Sequence, residues 1–239
     1  MNQNSPVEYN EGVACNVEEY PDGLNANFLG KDASELYEVF GNDGKGLFED
    51  CEQRDIANNV GSIMQILKEH GLHEGSTICD VGAGTGLFVR EMCTIVSHPG
   101  KVVACEISPG FVALLKDKFQ DKVRIGDLEI VQSQDKSLCL LNKQFDMVFV
   151  CDVYHHFEYP KSMLRDISLV LKPYGVLVVI DFHRDSSKIW SKPKGWVESH
   201  VRLGQAEVRE EIANEGFKFL EEPTVSTLRE NYIMMFEKL

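Results

Sequence analysis

Ser76-Thr-Ile-Cys-Asp-Val-Gly-Ala-Gly-Thr-Gly-Leu-Phe88 is the stretch of this 239-residue chain that decides its fold. Its apolar run from Thr77 to Val81 predicts a buried strand, which leads into glycines at every second position and then into a helix with apolar spacing. Such glycines let the backbone turn tightly and approach a bound molecule where a Cβ would collide. The helix then points its N-terminal amides at that molecule. The stretch therefore predicts a ligand at the end of the first strand of an α/β sheet.

An acidic residue ends the next apolar run. Glu106 follows Val102-Val103-Ala104-Cys105 and lies twenty residues after Gly86. A carboxylate at that distance from the glycine loop can accept hydrogen bonds from both hydroxyls of a ribose. The loop and Glu106 together predict an adenosine-containing cofactor, and they do not choose between a nicotinamide and a sulfonium compound.

The composition excludes several classes of protein. A formal charge of −14 disfavours binding to nucleic acid or to an anionic membrane. No apolar run is long enough to span a membrane, and the first residues have neither the basic nor the apolar segment of a secretory signal. The seven cysteines form no Cys-x-x-Cys pair, which favours reduced thiols and a cytoplasmic location.

The acidic charge is concentrated near the N-terminus. The first fifty residues hold eleven Asp and Glu against two lysines. We expect residues 1–50 to form an acidic arm, either a solvated tail or a lid over the cofactor, and residues 51–239 to form one domain.

Strands and helices alternate from Ser76 onward, which predicts a Rossmann-like, doubly wound α/β fold with seven strands. The last two strands are too close for a crossover helix, so the C-terminal strand of the mostly parallel sheet should run antiparallel. Helices are predicted near 52–70, 87–97, 109–119, 160–171 and 204–215. Strands are predicted near 76–81, 101–106, 128–132, 145–151, 175–182, 217–221 and 231–237.

Five segments in a fixed order carry a family resemblance. The segments are Asp80-Val-Gly-Ala-Gly-Thr-Gly86, Glu106, Phe145-Asp146, Asp152-Val-Tyr-His-His156 and Leu171-Lys-Pro-Tyr-Gly175. With these segments the chain resembles class I S-adenosylmethionine-dependent methyltransferases, and within them the small-molecule enzymes of the ubiquinone/menaquinone-biosynthesis type (type 11). The resemblance covers about residues 50–239.

The resemblance implies S-adenosylmethionine as the cofactor and a set of residues that bind it. Asp80 and the glycine loop would face the amino-acid half, and Glu106 would hold the ribose. Ile107 would pack on the adenine, whose amino group would be bound by Gln134 or Asp135. The strand end at Cys151 would pass beneath the methionine part. The loop residues are Gly82, Ala83, Gly84 and Gly86.

The candidates for catalysis follow the fourth strand. They are Asp152, Tyr154 and His155, of which His155 is the first choice as a base or as a donor that orients the acceptor. Because Tyr154, His155 and His156 are consecutive, they should not all point into one pocket. One interpretation is that His156 and Phe157 cover the start of the next helix at Pro160.

The connection from 183 to 202 is the most individual part of the chain. It holds both tryptophans and five Lys or Arg against two acidic residues. We interpret it as a lid that favours an anionic or aromatic acceptor, and the alternative is a solvated crossover. Its candidate substrate residues are His183, Trp190, Trp196, His200 and Arg202.

The sequence leaves two other functions open. A NAD-dependent Rossmann oxidoreductase would share the glycine loop and Glu106, although it does not call for the C-terminal hairpin. A non-catalytic S-adenosylmethionine-binding module would share the whole cofactor site. No metal site is expected, because no histidine or cysteine pair has a recognised metal-ligand spacing. The leading prediction is methyl transfer to a small-molecule acceptor.

Overall fold

The computed structural model describes residues 25–41 and 54–239. Much of the predicted acidic arm, residues 1–24 and 42–50, therefore lies outside the described residues, as do Cys15 and Cys51. The division into an arm and a domain near residue 50 stays a prediction.

The centre of the molecule is one sheet of seven strands. They are β1 Thr77–Val81, β2 Lys101–Glu106, β3 Leu128–Gln132, β4 Phe145–Cys151, β5 Leu171–Phe182, β6 Phe217–Glu221 and β7 Asn231–Lys238. Their order is β3-β2-β1-β4-β5-β7-β6. β1 to β5 run parallel, and β7 is antiparallel to both of its neighbours. The Rossmann-like α/β fold with an antiparallel C-terminal strand is confirmed.

β5 begins four residues earlier than the predicted position 175. Leu171 already pairs with Phe145, whereas the regular ladder resumes at Met147 and Val176. Between these pairs Tyr174 has a φ of 62°, in the left-handed region that favours glycine. The turn at Tyr174 was expected to precede the strand, and it instead forms an irregularity inside β5.

The helices flank the sheet. The predicted helix at 52–70 is divided at Asn59, whose side chain donates to the carbonyl oxygens of Asp55 (2.8 Å) and Thr227 (3.2 Å). Short helical turns also span Tyr37–Gly41 and Tyr154–His156. The α-helices are α1 Ala26–Leu29, α2 Ala33–Leu36, α3 Asp55–Asn58, α4 Val60–Glu69, α5 Leu87–Ile95, α6 Pro109–Lys118, α7 Gln120–Ile125, α8 Pro160–Val170, α9 Trp196–His200 and α10 Gln205–Asn214. None of these described helices is long and apolar enough to cross a membrane.

Alternate residues of each strand enter two separate cores. Ile78 of β1 packs with α4 and α5, and Cys79 packs with α8 and α10 on the opposite face. Both faces of the sheet are thus covered, as the near-continuous apolar strands require.

The segment 25–41 lies against α6. Leu36, Phe40 and Phe111 form a small buried cluster. A Cβ at Gly110 would come within 2.5 Å of both Leu36 and the carbonyl oxygen of Lys31, so only glycine permits this approach. The side chain of Asn25 donates to the His156 carbonyl oxygen at 3.2 Å. The segment therefore reaches the residues that follow β4.

Candidate active site

The glycine loop connects β1 to α5 in a conformation that favours glycine. Gly82, Gly84 and Gly86 have φ angles of 71°, 53° and 85°. A methyl group at Gly82 would overlap the side chain of Val153, because the segment after β4 passes close to the loop. At Gly86 a Cβ would lie 2.5 Å from the Phe119 ring. Gly86 thus permits the packing of the loop against the end of α6.

A first cleft opens beside this loop. The space in this cleft, including the part that is open to solvent, is about 510 Å³. It brings together Asp80, three residues of the glycine loop, and Cys151 with Asp152 from the end of β4, all predicted from the sequence. Its lining is Arg54, Ile56, Asp80, Gly82, Ala83, Gly84, Thr85, Leu87, Phe88, Cys151, Asp152 and Val153.

A second cleft of about 410 Å³ adjoins the first. Gly82 and Val153 line both clefts, which are therefore contiguous. The predicted adenine-side residues Ile107, Gln134 and Asp135 all line the second one. Its lining is Asn25, Val81, Gly82, Ile107, Ser133, Gln134, Asp135, Val153, His156, Phe157, Glu158 and Met163.

Glu106 joins the glycine loop to the start of α6. Its two carboxylate oxygens accept from the amides of Gly84 and Ser108, each at 2.9 Å. Burial raises the pKa of this carboxyl, and the backbone hydrogen bonds oppose that rise. A carboxylate has about four acceptor positions, so two bound amides leave capacity for a ligand.

Asp80 is buried at the end of β1 and lines the first cleft. Burial, and then the nearby charge of Glu106, raise its pKa to about 7. Thr85 lines the same cleft, and its buried hydroxyl has no hydrogen-bond partner among the described residues. The first cleft therefore offers an acid and a hydroxyl to a polar ligand.

Asp152 follows β4 with a φ of 53° and is held from two sides. Its carboxylate accepts from Arg54 and from Asn231, both at 2.6 Å. Burial raises the pKa of Asp152, and the Arg54 charge opposes the rise. Sequence reasoning missed Arg54 and Asn231, because neither belongs to a motif and both reach Asp152 only through the fold.

Tyr154 and Arg202 point into a different region from the clefts. Tyr154 is almost fully buried, and its hydroxyl donates to Glu211 at 2.7 Å. Arg202 donates to both oxygens of Glu211, at 3.0 and 2.5 Å. The structure thus brings Tyr154 and Arg202 together at Glu211 of α10, in a polar network away from both clefts.

His155 and His156 lie together and meet His200 from α9. Their rings are 4.3 Å apart, and both lie about 5 Å from the His200 ring. Asp181 at the end of β5 holds His155, accepting from its Nδ1 at 2.6 Å and from its backbone amide at 2.9 Å. Sequence reasoning missed Asp181, although an acidic residue that interrupts the apolar run of β5 was a signal.

The imidazoles of His156 and His200 are kept neutral. Burial, and then the neighbouring histidines, lower the pKa of His156 well below its ordinary value. Burial also lowers the pKa of His200, to about 4. The interpretation that His156 covers a helix start is incomplete, because His156 also lines the second cleft.

The two tryptophans of the 183–202 connection have different surroundings. Trp196 stacks on His200 with ring centroids 4.2 Å apart and an edge contact to Phe182. Trp190 is about half exposed and lies against Arg229. His183 packs on Tyr232. Of the predicted substrate residues, Trp196 and His200 therefore lie beside His155 and His156, whereas Trp190 and Arg202 make other contacts.

Comparison with known proteins decides the family. Residues 79–179 match the family described as "Methyltransferase domain" (Methyltransf_11). Residues 79–179 thus match a methyltransferase domain, in a segment that is less than half of the chain. The methyl donor of the matched family is S-adenosylmethionine, which favours the sulfonium over the nicotinamide alternative that the glycine loop left open.

The curated relatives of the methyltransferase domain are distant. The ubiquinone/menaquinone biosynthesis C-methyltransferase UbiE of Pseudomonas paraeruginosa is 33% identical over 149 residues, covering 58% of this chain and 57% of the relative. The protein of the same name from Ectopseudomonas mendocina is 28% identical over 145 residues. The match thus spans little more than half the length of these relatives.

Solved structures share the fold of this chain. An S-adenosylmethionine-dependent methyltransferase from Aquifex aeolicus has a TM-score of 0.68 at 20% identity, covering 87% of this chain and 100% of its own. Magnesium protoporphyrin IX methyltransferase from Synechocystis PCC 6803, with bound S-adenosylmethionine, has a TM-score of 0.60 at 19% identity, covering 86% and 91%. At this identity the likeness concerns the fold alone.

Proposed function

We propose that this chain transfers the methyl group of S-adenosylmethionine to a small-molecule acceptor. The observation that carries the proposal is the pair of contiguous clefts at the ends of β1 and β4, with the His155–Asp181 pair beside them. In open α/β sheets, ligands bind at this carboxyl edge of the strands.

The residues of the clefts fit the cofactor. In the first cleft, Asp80 and the unpartnered Thr85 hydroxyl suit the ammonium and carboxylate of the methionine part. Cys151 and Asp152 border the same part. In the second cleft, Ile107 offers an apolar surface for the adenine, and Gln134 or Asp135 accepts from its amino group. Glu106 lies behind Gly84 with acceptor capacity for the ribose.

The bound cofactor supplies an electrophilic methyl group, and the protein must align the acceptor and exclude water. Because Nδ1 of His155 donates to Asp181, its Nε2 carries the lone pair when the ring is neutral. We assign His155 as the group that takes a proton from the acceptor. Asp152 is fixed by Arg54 and Asn231, so it shapes the cleft floor and orients ligands.

The acceptor would lie on the side of Trp196 and His200. The 183–202 connection places an aromatic surface there, and Lys192 lies over Trp196. These features support an acceptor with an aromatic ring or a negative charge. The curated relatives are named as C-methyltransferases of ubiquinone/menaquinone biosynthesis, and an acceptor that carries a ring agrees with that name.

The test is the formation of S-adenosylhomocysteine from S-adenosylmethionine with a library of small aromatic and anionic metabolites. We expect release with at least one acceptor and no release from the Asp181→Asn variant, whose His155 loses the orienting carboxylate. Tight binding of S-adenosylhomocysteine without turnover on any acceptor would instead favour the non-catalytic module.

Two further assignments accompany the proposal. Among the described residues, the thiol of Cys79 donates to the sulfur of Cys105 at 3.7 Å and the two form no disulfide, which supports reduced thiols and a cytoplasmic location. The contacts of Asn25 with His156 and of Phe28 with Ser108 support the lid interpretation for the described part of the arm. Both assignments extend predictions that the sequence made.

A further inference from the structure

Three imidazoles from two distant parts of the chain converge at one point. His155 and His156 lie in the connection from β4 to α8, and His200 ends α9. One ring nitrogen from each lies within 4.8 Å of the other two. We propose that this histidine cluster binds a divalent transition-metal ion of the zinc type.

The chemistry of the nitrogens fits a metal better than it fits a hydrogen-bonded core. The Nδ1 atom of His156 is buried and has no hydrogen-bond partner among the described residues. A buried polar atom without a partner carries a desolvation cost that a ligand would remove. An imidazole nitrogen with a free lone pair is the commonest protein ligand of zinc.

Asp181 supplies the outer contact that metal-binding histidines usually have. Its carboxylate accepts from Nδ1 of His155 at 2.6 Å and fixes the ring so that Nε2 points away from Asp181. Such a carboxylate–histidine pair orients the ligand and raises its basicity. Asp181 is itself buried, and a bound cation would provide a countercharge in its surroundings.

Three histidine ligands predict a tetrahedral zinc site with one coordination position left open. Tetrahedral zinc with bonds of about 2.05 Å holds its ligand nitrogens roughly 3.4 Å apart, so the rings would close by about an ångström. Three histidines leave the fourth position for water or substrate, as in catalytic zinc sites. His156 lines the second cleft, so that position is beside the proposed cofactor site.

A catalytic role for this metal rests on the proposed methyl transfer, whereas the binding of the metal to the three histidines does not. A donor atom of the acceptor that takes the fourth position would lose its proton to solvent more readily. It would then attack the methyl carbon as the carbon–sulfur bond breaks and S-adenosylhomocysteine leaves. In the zinc-loaded protein this activation would replace the proton transfer to His155, which belongs to the metal-free site.

The direct experiment measures zinc itself, without acceptor or cofactor. Tag-free full-length protein is stripped with chelator, dialysed against micromolar ZnCl₂ and analysed for bound metal. We expect one zinc per chain in the unaltered protein, and a loss of at least about tenfold in affinity for His155→Ala, His156→Ala and His200→Ala. His183→Ala, which removes a histidine outside the cluster, is the matched control and should retain its zinc.

Two readouts keep the test decisive if a histidine variant does not fold. Zinc at a hundredfold excess over its dissociation constant should raise the melting temperature of the unaltered protein by roughly 5 °C or more. Co²⁺ should quench the emission of Trp196 in a Trp190→Phe variant more strongly than that of Trp190 in a Trp196→Phe variant. No stoichiometric zinc in the unaltered protein, or zinc retained in all three variants, would overturn the proposal whether or not methyl transfer occurs.

Discussion

The guanidinium of Arg54 lies 2.6 Å from the carboxylate of Asp152, although 98 residues separate them along the chain. Both groups are largely buried, and both line the first cleft. The pair fixes the segment just before α3 to the end of β4. The fold thereby closes one side of the proposed cofactor site with an internal ion pair.

Removing Arg54 should leave a buried carboxylate without its cation. We expect Arg54→Ala to lower the free energy of unfolding by about 2–4 kcal/mol, and Arg54→Ala with Asp152→Asn to recover part of that loss, because the charge is then gone as well. Denaturant unfolding measures both. Arg124→Ala breaks the exposed pair with Asp121 and should cost no more than about 0.5 kcal/mol. Equal losses in Arg54→Ala and Arg124→Ala would contradict the structural role of the buried pair.

The affinity for S-adenosylhomocysteine should depend on pH through Asp80. Since the pKa of Asp80 is raised to about 7, its carboxyl is largely protonated below that pH in the cofactor-free protein. An ammonium group selects the ionised form, so binding below the pKa must release a proton. The affinity should rise about tenfold per pH unit below about pH 7 and level off above it. Calorimetric titration across this range measures it.

Asp80 should also make the stability of the cofactor-free protein depend on pH, and its raised pKa determines the direction of that dependence. The carboxyl stabilises the cofactor-free fold most below its unfolded pKa of 3.8, and that contribution is lost as the pH rises through about 7. Asp80→Asn should therefore gain stability relative to the unaltered protein at alkaline pH and should show no pH-dependent affinity in this range. An unaltered pH profile in Asp80→Asn would exclude Asp80 as the titrating group.

Glu106 should be required as a carboxylate. In Glu106→Gln, the amide nitrogen cannot accept, so either the Gly84 or the Ser108 amide loses its partner. We expect at least a tenfold loss of affinity for S-adenosylhomocysteine and a lower melting temperature. Glu129→Gln on the edge strand β3, where the side chain is about one-third exposed, is the control. A Glu106→Gln protein that binds normally would remove Glu106 from the cofactor site.

Replacement of Trp196 and replacement of Trp190 should have different effects on the KM for the acceptor. Trp196 stacks on His200 beside the histidine cluster, whereas Trp190 lies outside against Arg229. If the connection covers the acceptor, Trp196→Ala should raise the acceptor KM about tenfold or more, and Trp190→Ala should raise it less. The steady-state KM for S-adenosylmethionine in the same assays shows whether the cofactor site is intact. An unchanged acceptor KM in Trp196→Ala would contradict the lid hypothesis.

Local pattern was enough to predict most of the fold. The strands, the glycine loop and the antiparallel β7 follow from apolar runs, glycine spacing and a short final connection. The start of β5 was wrong because Tyr174 adopts a turn conformation inside a strand, which no pattern distinguishes from a turn before one. The division of the first helix at Asn59 depends on a contact with Thr227, far along the chain.

The site was predictable only where a motif marks it. Asp80, Ile107, Gln134 and Asp152, which stand in or next to the motif segments, line the two clefts, and their roles there stay predictions. By contrast, Tyr154 turns toward Glu211 because consecutive residues diverge, and no spacing rule indicates which one does. The meeting of His155 with His200 depends on how the 183–202 connection folds back over β5. Such long-range pairs are set by packing and not by sequence separation.

The measurement that tests the account most directly is the formation of S-adenosylhomocysteine by purified full-length protein. S-adenosylmethionine labelled in its methyl group is incubated with pooled small aromatic and anionic metabolites, and the products are followed by mass spectrometry. We expect S-adenosylhomocysteine together with an equal amount of one labelled product, both absent with Glu106→Ala. Tight binding of S-adenosylmethionine with no labelled product from any pool would contradict the proposed methyl transfer.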